Sequence, residues 1–161
     1  MRKVLVGTVA ALGLVVALSG TAMAVEVVKD VEIKAAPADV WKKIGGWCSI
    51  RNWHPAIKTC QMSQENGATM RLLTTQDGAE IMEQRTAESE TSYDYTITKS
   101  PLPISNYSAT IGVAPNDDGG ATKITWKANF DANGASDEDA QKVIEGIFES
   151  GLAAIKDSMT Q

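Results

Sequence analysis

The sequence predicts an α+β fold: a curved antiparallel sheet of about seven strands wrapped on one long C-terminal helix, with short helices after the first strand. Two observations carry this. Short β-prone runs separated by turn signals fill the middle of the chain. From Ser136 onward the period changes, and apolar residues recur every three or four positions.

Residues 25–34 read as the first strand, with Val27, Val31 and Ile33 on one face and mostly polar residues opposite. Pro37 suits the first turn of a short helix, where its missing N–H costs nothing. Asp39 lies near that positive end, and Val40, Trp41 and Ile44 form the apolar stripe. Gly45 and Gly46 end it.

Further runs follow at 59–63, 69–75, 80–87, 92–99, 105–113 and 122–130. Asn66-Gly67 and Asp77-Gly78 are hairpin signals, because Asn and Gly tolerate positive φ. Runs joined this closely predict an antiparallel meander. At the end, Ser136 and Asp139 form a box-like cap. Ala140, Val143, Ile144, Ile147, Phe148, Gly151, Leu152, Ile155 and Met159 then make a stripe about six turns long. The concave face of the sheet is the surface available to bury it. Gly146 and Gly151 each cost up to ~1 kcal/mol inside a helix. Close approach to the sheet or to a ligand is the expected compensation.

The first 24 residues stand apart. Arg2 and Lys3 precede an apolar run from Val4 to Leu18, and Ala22 and Ala24 occupy the small-residue positions of a cleavage site. The run is shorter than the ~18–20 residues that span a bilayer. Residues 1–24 are therefore expected to be a cleaved signal peptide, with residues 25–161 a single periplasmic or secreted domain; the alternative is an uncleaved N-terminal anchor. No stable membrane insertion is expected after cleavage. Beyond Ala24 the chain has 13 basic against 20 acidic residues, a net charge of −7. Nucleic acid is not an expected partner, because binding it requires cationic groups that displace phosphate counterions.

The segment from Trp47 to Cys60, WCSIRNWHPAIKTC, gathers both cysteines, the one histidine and two of the four tryptophans. In an exported chain, Cys48 and Cys60 permit one intramolecular disulfide, with two buried thiols as the alternative. Closing that loop removes on the order of 3 kcal/mol of unfolded-state entropy.

Several segments resemble the START-like helix-grip superfamily, in its polyketide cyclase/dehydrase and lipid-transport (SRPBCC) branch. The likeness runs through Ala36-Pro37 with Val40-Trp41, Asn52-Trp53-His54-Pro55 and Arg71-Leu72 before Asp77-Gly78. It continues with Ile81-Met82-Glu83, Tyr95, Pro101-Leu102-Pro103 with Tyr107, Thr125-Trp126 before Phe130, and Gly151-Leu152. One departure is that Glu83 is followed by Gln84 and Arg85, where the family often has Arg-Leu. The resemblance implies a helix-grip fold with a hydrophobic cavity between sheet and helix, but no shared reaction. The exported chain is also similar to MxaD-like periplasmic proteins associated with methanol oxidation, which implies an accessory role beside a periplasmic protein partner as one option.

Three functions thus stand open: a binding protein for a small hydrophobic or amphipathic ligand, a cyclase- or dehydratase-like enzyme, and an accessory interaction protein. Ligand contacts are expected from Trp53, His54, Arg71, Glu83, Tyr95, Tyr107, Trp126 and Phe148. His54 is the one candidate acid–base residue; its alternatives are ligand contact or a structural bond to a backbone carbonyl. Arg71 and Glu83 lie on strands joined by the Asp77-Gly78 turn, so they either pair inside or both face solvent. An inward Glu83 brings Arg85 inward too, unless a bulge or an open cavity mouth relieves it. No cofactor is expected. No metal site is expected either, because one histidine and two cysteines twelve residues apart make a poor zinc site.

Overall fold

The computed structural model describes residues 24–160; residues 1–23 of the expected leader lie outside the described residues. Strand β1 (Val25–Ile33) leads into helices α1 (Pro37–Ile44) and α2 (Ile50–Trp53). Strands β2 (Ile57–Glu65), β3 (Ala68–Thr75), β4 (Glu80–Glu88), β5 (Ser92–Lys99), β6 (Ile104–Pro115) and β7 (Thr122–Ala132) follow, and helix α3 (Asp137–Met159) closes the chain. The seven strands form one antiparallel sheet in the order β1-β7-β6-β5-β4-β3-β2. Every neighbouring pair except β1–β7 is a sequential hairpin, as a meander requires.

Local chemistry explains the joints. Asn66 and Gly67 have φ of 50° and 84°, the paired left-handed conformation of the tight turn between β2 and β3. Ser136 accepts a hydrogen bond from the Asp139 N–H at 3.2 Å and caps α3. β6 contains an irregularity between Ser105 and Ser108, with Asn106 at φ 50°. The extra residue changes the alternation, so that Ile104 and Tyr107 both face the interior.

α3 lies across the concave face and buries Ala140, Ile144, Phe148, Gly151, Leu152 and Ile155. The sequence stripe was too wide: Val143 is exposed and Ile147 is half-buried. The two helix glycines separate cleanly. A Cβ on Gly151 would sit 2.7 Å from His54 Cδ2, 3.0 Å from Trp126 Cζ3 and 3.1 Å from Trp53 Cζ3, whereas one on Gly146 would meet nothing within 4 Å. Close approach therefore accounts for Gly151 and not for Gly146.

The Cys48–Cys60 disulfide is formed, with the two Cα atoms 5.6 Å apart. It ties the corner between α1 and α2 to β2. Among the described residues, no helix is long and apolar enough to cross a membrane.

Candidate functional site

Between α3 and the concave face lies a cavity of about 130 Å³. Leu73 of β3, Ile81 and Glu83 of β4, Tyr95 of β5, Tyr107 of β6 and Trp126 of β7 form its sheet side. Ile144, Ile147 and Phe148 face them from α3, and Ile50, His54 and Ile57 close the flank. The rim is marked by exposed Ala56 and by half-buried Thr75, Ile97, Leu102 and Ile147. Most of this wall is aliphatic or aromatic carbon, so the interior favours apolar groups.

Arg71 and Glu83 are register partners on β3 and β4, both inside the sheet. Arg71 is 0% exposed and Glu83 5%. Arg71 Nε donates to Glu83 Oε2 at 2.5 Å, and Nη1 donates to the Trp47 carbonyl at 2.5 Å. The Trp47 ring covers the guanidinium, 3.8 Å from its centroid, and Tyr93 and Tyr95 stand beside it at 5.6 Å and 5.4 Å. Burial works against the Arg71 charge, but the Glu83 carboxylate together with Tyr93 and Tyr95 outweighs it and raises the guanidinium pKa further. Burial likewise pushes the Glu83 carboxyl above its usual range, with Arg71 pulling the other way.

Arg85 does share the inner face, as alternation demanded. β4 is irregular on both sides of it, and the partly exposed side chain pairs with Glu88 at 3.0 Å. Its guanidinium lies 5.8 Å from the Trp47 ring, away from the cavity lining.

His54 is buried, and both its ring nitrogens engage backbone. Nδ1 accepts from the Ala56 N–H at 3.2 Å, which leaves the proton on Nε2 to be donated to the Ile147 carbonyl at 3.0 Å. Burial lowers its pKa, and the Ile147 bond offsets this in part. His54 is thus a neutral imidazole with both ring nitrogens bonded to backbone.

A polar chain crosses the aromatic wall. Trp126 Nε1 donates to the Tyr95 hydroxyl at 2.9 Å, and the Tyr95 and Tyr107 hydroxyls are 3.2 Å apart. The Trp126 ring stacks on Phe148 with centroids 4.3 Å apart.

Of the eight residues expected to touch ligand, six line the cavity: His54, Glu83, Tyr95, Tyr107, Trp126 and Phe148. Trp53 and Arg71 do not. Trp53 packs edge-on against Trp126, centroids 5.6 Å apart, and Arg71 is sealed between Glu83 and Trp47. Sequence reasoning also passed over Trp47 and Tyr93, which enclose Arg71; the pointers available were the Trp47–Cys48 adjacency and the alternation of Tyr93 with Tyr95. Among the described residues, no group of three or more metal-ligating side chains exists.

A curved sheet gripping a helix around an apolar cavity with one buried ion pair defines the class: a helix-grip protein. A family model described as polyketide cyclase / dehydrase and lipid transport matches residues 24–160, and the chain belongs to that family. No curated protein matches the chain. Among solved structures, the protein XoxI from Bacillus cereus is 30% identical with a TM-score of 0.79, over 84% of this chain and 96% of that one. An aromatase/cyclase, ZhuI from Streptomyces sp. R1128, is 14% identical with a TM-score of 0.66, over 84% and 93%. A START superfamily protein from Mycobacterium smegmatis is 13% identical with a TM-score of 0.71, over 84% and 97%. The last two likenesses concern the fold.

Proposed function

We propose that this chain is an exported binding protein that holds a small, mainly apolar molecule between sheet and helix. The observation that carries the reading is the cavity of about 130 Å³, lined mostly by carbon and reached past Ala56, Leu102 and Ile147. A cavity of about 150 Å³ lined by Leu, Ile and Phe takes up benzene, so a single ring or a short branched chain is the scale of ligand this interior suits. Ligand contacts fall to His54, Glu83, Tyr95, Tyr107, Trp126 and Phe148.

The geometry favours this over the other two readings. An acid–base role for His54 would require a free ring nitrogen, and both are bonded to backbone. An accessory protein working only through its surface would be expected to have a filled interior. Export rests on the leader-like residues 1–24 and on the disulfide, a bond that persists in oxidising compartments.

Native mass spectrometry of the protein purified from its own cells tests the reading. Retention of a stoichiometric small molecule is expected. Protein that carries no adduct and takes up no small apolar compound would refute it.

A further inference from the structure

The cavity has one polar end, and its hydrogen bonds do not balance. Trp126 Nε1–H, Tyr95 O–H and Tyr107 O–H are three donors. They share two hydrogen bonds, Trp126 to Tyr95 and Tyr95 with Tyr107. Whichever tyrosine donates in the second bond, one phenolic proton is left without an acceptor among the described residues. Both tyrosines are buried and both line the cavity.

Glu83 is underused in the opposite sense. A carboxylate has about four acceptor sites, and among the described residues the one hydrogen bond Glu83 receives comes from Arg71 Nε. It too lines the cavity, at 5% exposure. Glu83 is paired with Ile97 in register, so Tyr95, two residues along β5, is its diagonal neighbour on the same face. The surplus donor and the surplus acceptor therefore share one end of the cavity, opposite an apolar wall of Ile144 and Phe148.

We propose that this end selects a neutral molecule bearing a hydroxyl group, on a ring or short chain of about six or seven non-hydrogen atoms. The ligand oxygen takes the surplus tyrosine proton, and the ligand O–H is given to Glu83. A hydrocarbon leaves both groups unmatched, and a ketone leaves Glu83 so. A carboxylate is repelled by Glu83, and an ammonium ion cannot accept the tyrosine proton. The inference deepens the ligand-binding reading and rests on it.

Phenol and benzene are the probes, titrated into the intact folded protein and followed by NMR. Phenol is expected to bind at least about tenfold more tightly than benzene, since a buried hydrogen-bonding site rejects the analogue lacking the hydroxyl. An Arg71→Met/Glu83→Leu double variant removes the acceptor without leaving either charge unpaired, and in it the preference for phenol should fall at least about threefold while benzene still binds. Benzene binding as tightly as phenol to the wild-type protein overturns the hydroxyl inference and leaves the cavity reading standing. Failure of both probes to bind overturns the two together. The wild-type comparison decides the matter even if the double variant does not fold.

Discussion

Arg71 and Glu83 face each other across β3 and β4 with Nε and Oε2 2.5 Å apart, and the Trp47 ring lies over the guanidinium. An ion pair enclosed in this way contributes little net stability, but either half alone is costly. Arg71→Met is expected to lower the unfolding free energy by about 3–5 kcal/mol. Adding Glu83→Leu to it should restore most of that loss. Chemical denaturation of the three proteins reads the difference, and a double variant no better than the single would contradict the account.

His54 gives a pH signature. Its folded-state pKa is depressed by burial, so the unfolded chain binds the proton more readily. Stability from this group is present above the ordinary histidine value of about 6.5 and is lost as pH falls below it. The buried Glu83, whose pKa is raised, acts in the opposite direction, so the comparison must be with His54→Gln. The wild-type protein should lose stability relative to that variant between about pH 6.5 and 5. Nitrogen chemical shifts of the imidazole should also report the Nε2–H tautomer at neutral pH.

The two glycines of α3 should respond oppositely to alanine. Gly151→Ala places a methyl against His54, Trp126 and Trp53. The packing cost of about 1–3 kcal/mol should exceed the gain of up to ~1 kcal/mol in helix propensity. Gly146→Ala meets nothing and should stabilise by up to ~1 kcal/mol. Thermal unfolding of both variants checks the pair.

The Cys48–Cys60 bond holds the residue beside it, Trp47, over Arg71. Replacing both cysteines by alanine should remove about 3 kcal/mol. It should also loosen the Trp47 cover, so that hydrogen exchange quickens at the α1–α2 corner more than in β6 or β7. Uniform acceleration throughout the protein would show that the bond acts only on the unfolded chain.

Much of the fold was legible because its signals are local. Asn66-Gly67 dictates a turn by its own backbone preferences, and Ser136 with Asp139 caps α3 from three residues away. The face of α3 was nearly right, and Val143 was misplaced because periodicity cannot show how wide a groove the sheet offers. The site was less legible. Alternation places Arg71 on the same face as Leu73, while its charge argues for solvent; the tie is broken by Trp47, whose position depends on a corner and a disulfide that no period encodes. Trp53 and Arg71 were expected among the ligand contacts and are not in the cavity lining, since sequence gives the face of a residue but not its depth. Tyr107 turns inward through an irregularity at Asn106 that the sequence did not announce.

The central claim is that the space between sheet and helix is a ligand site. A methyl-resolved NMR titration of the wild-type protein with phenol tests it most directly. Saturable shifts at Leu73, Ile81 and Ile144, with Val28 and Val143 on the surface unmoved, are the expected result. Shifts that never saturate, or that fall on the surface valines instead, would contradict it.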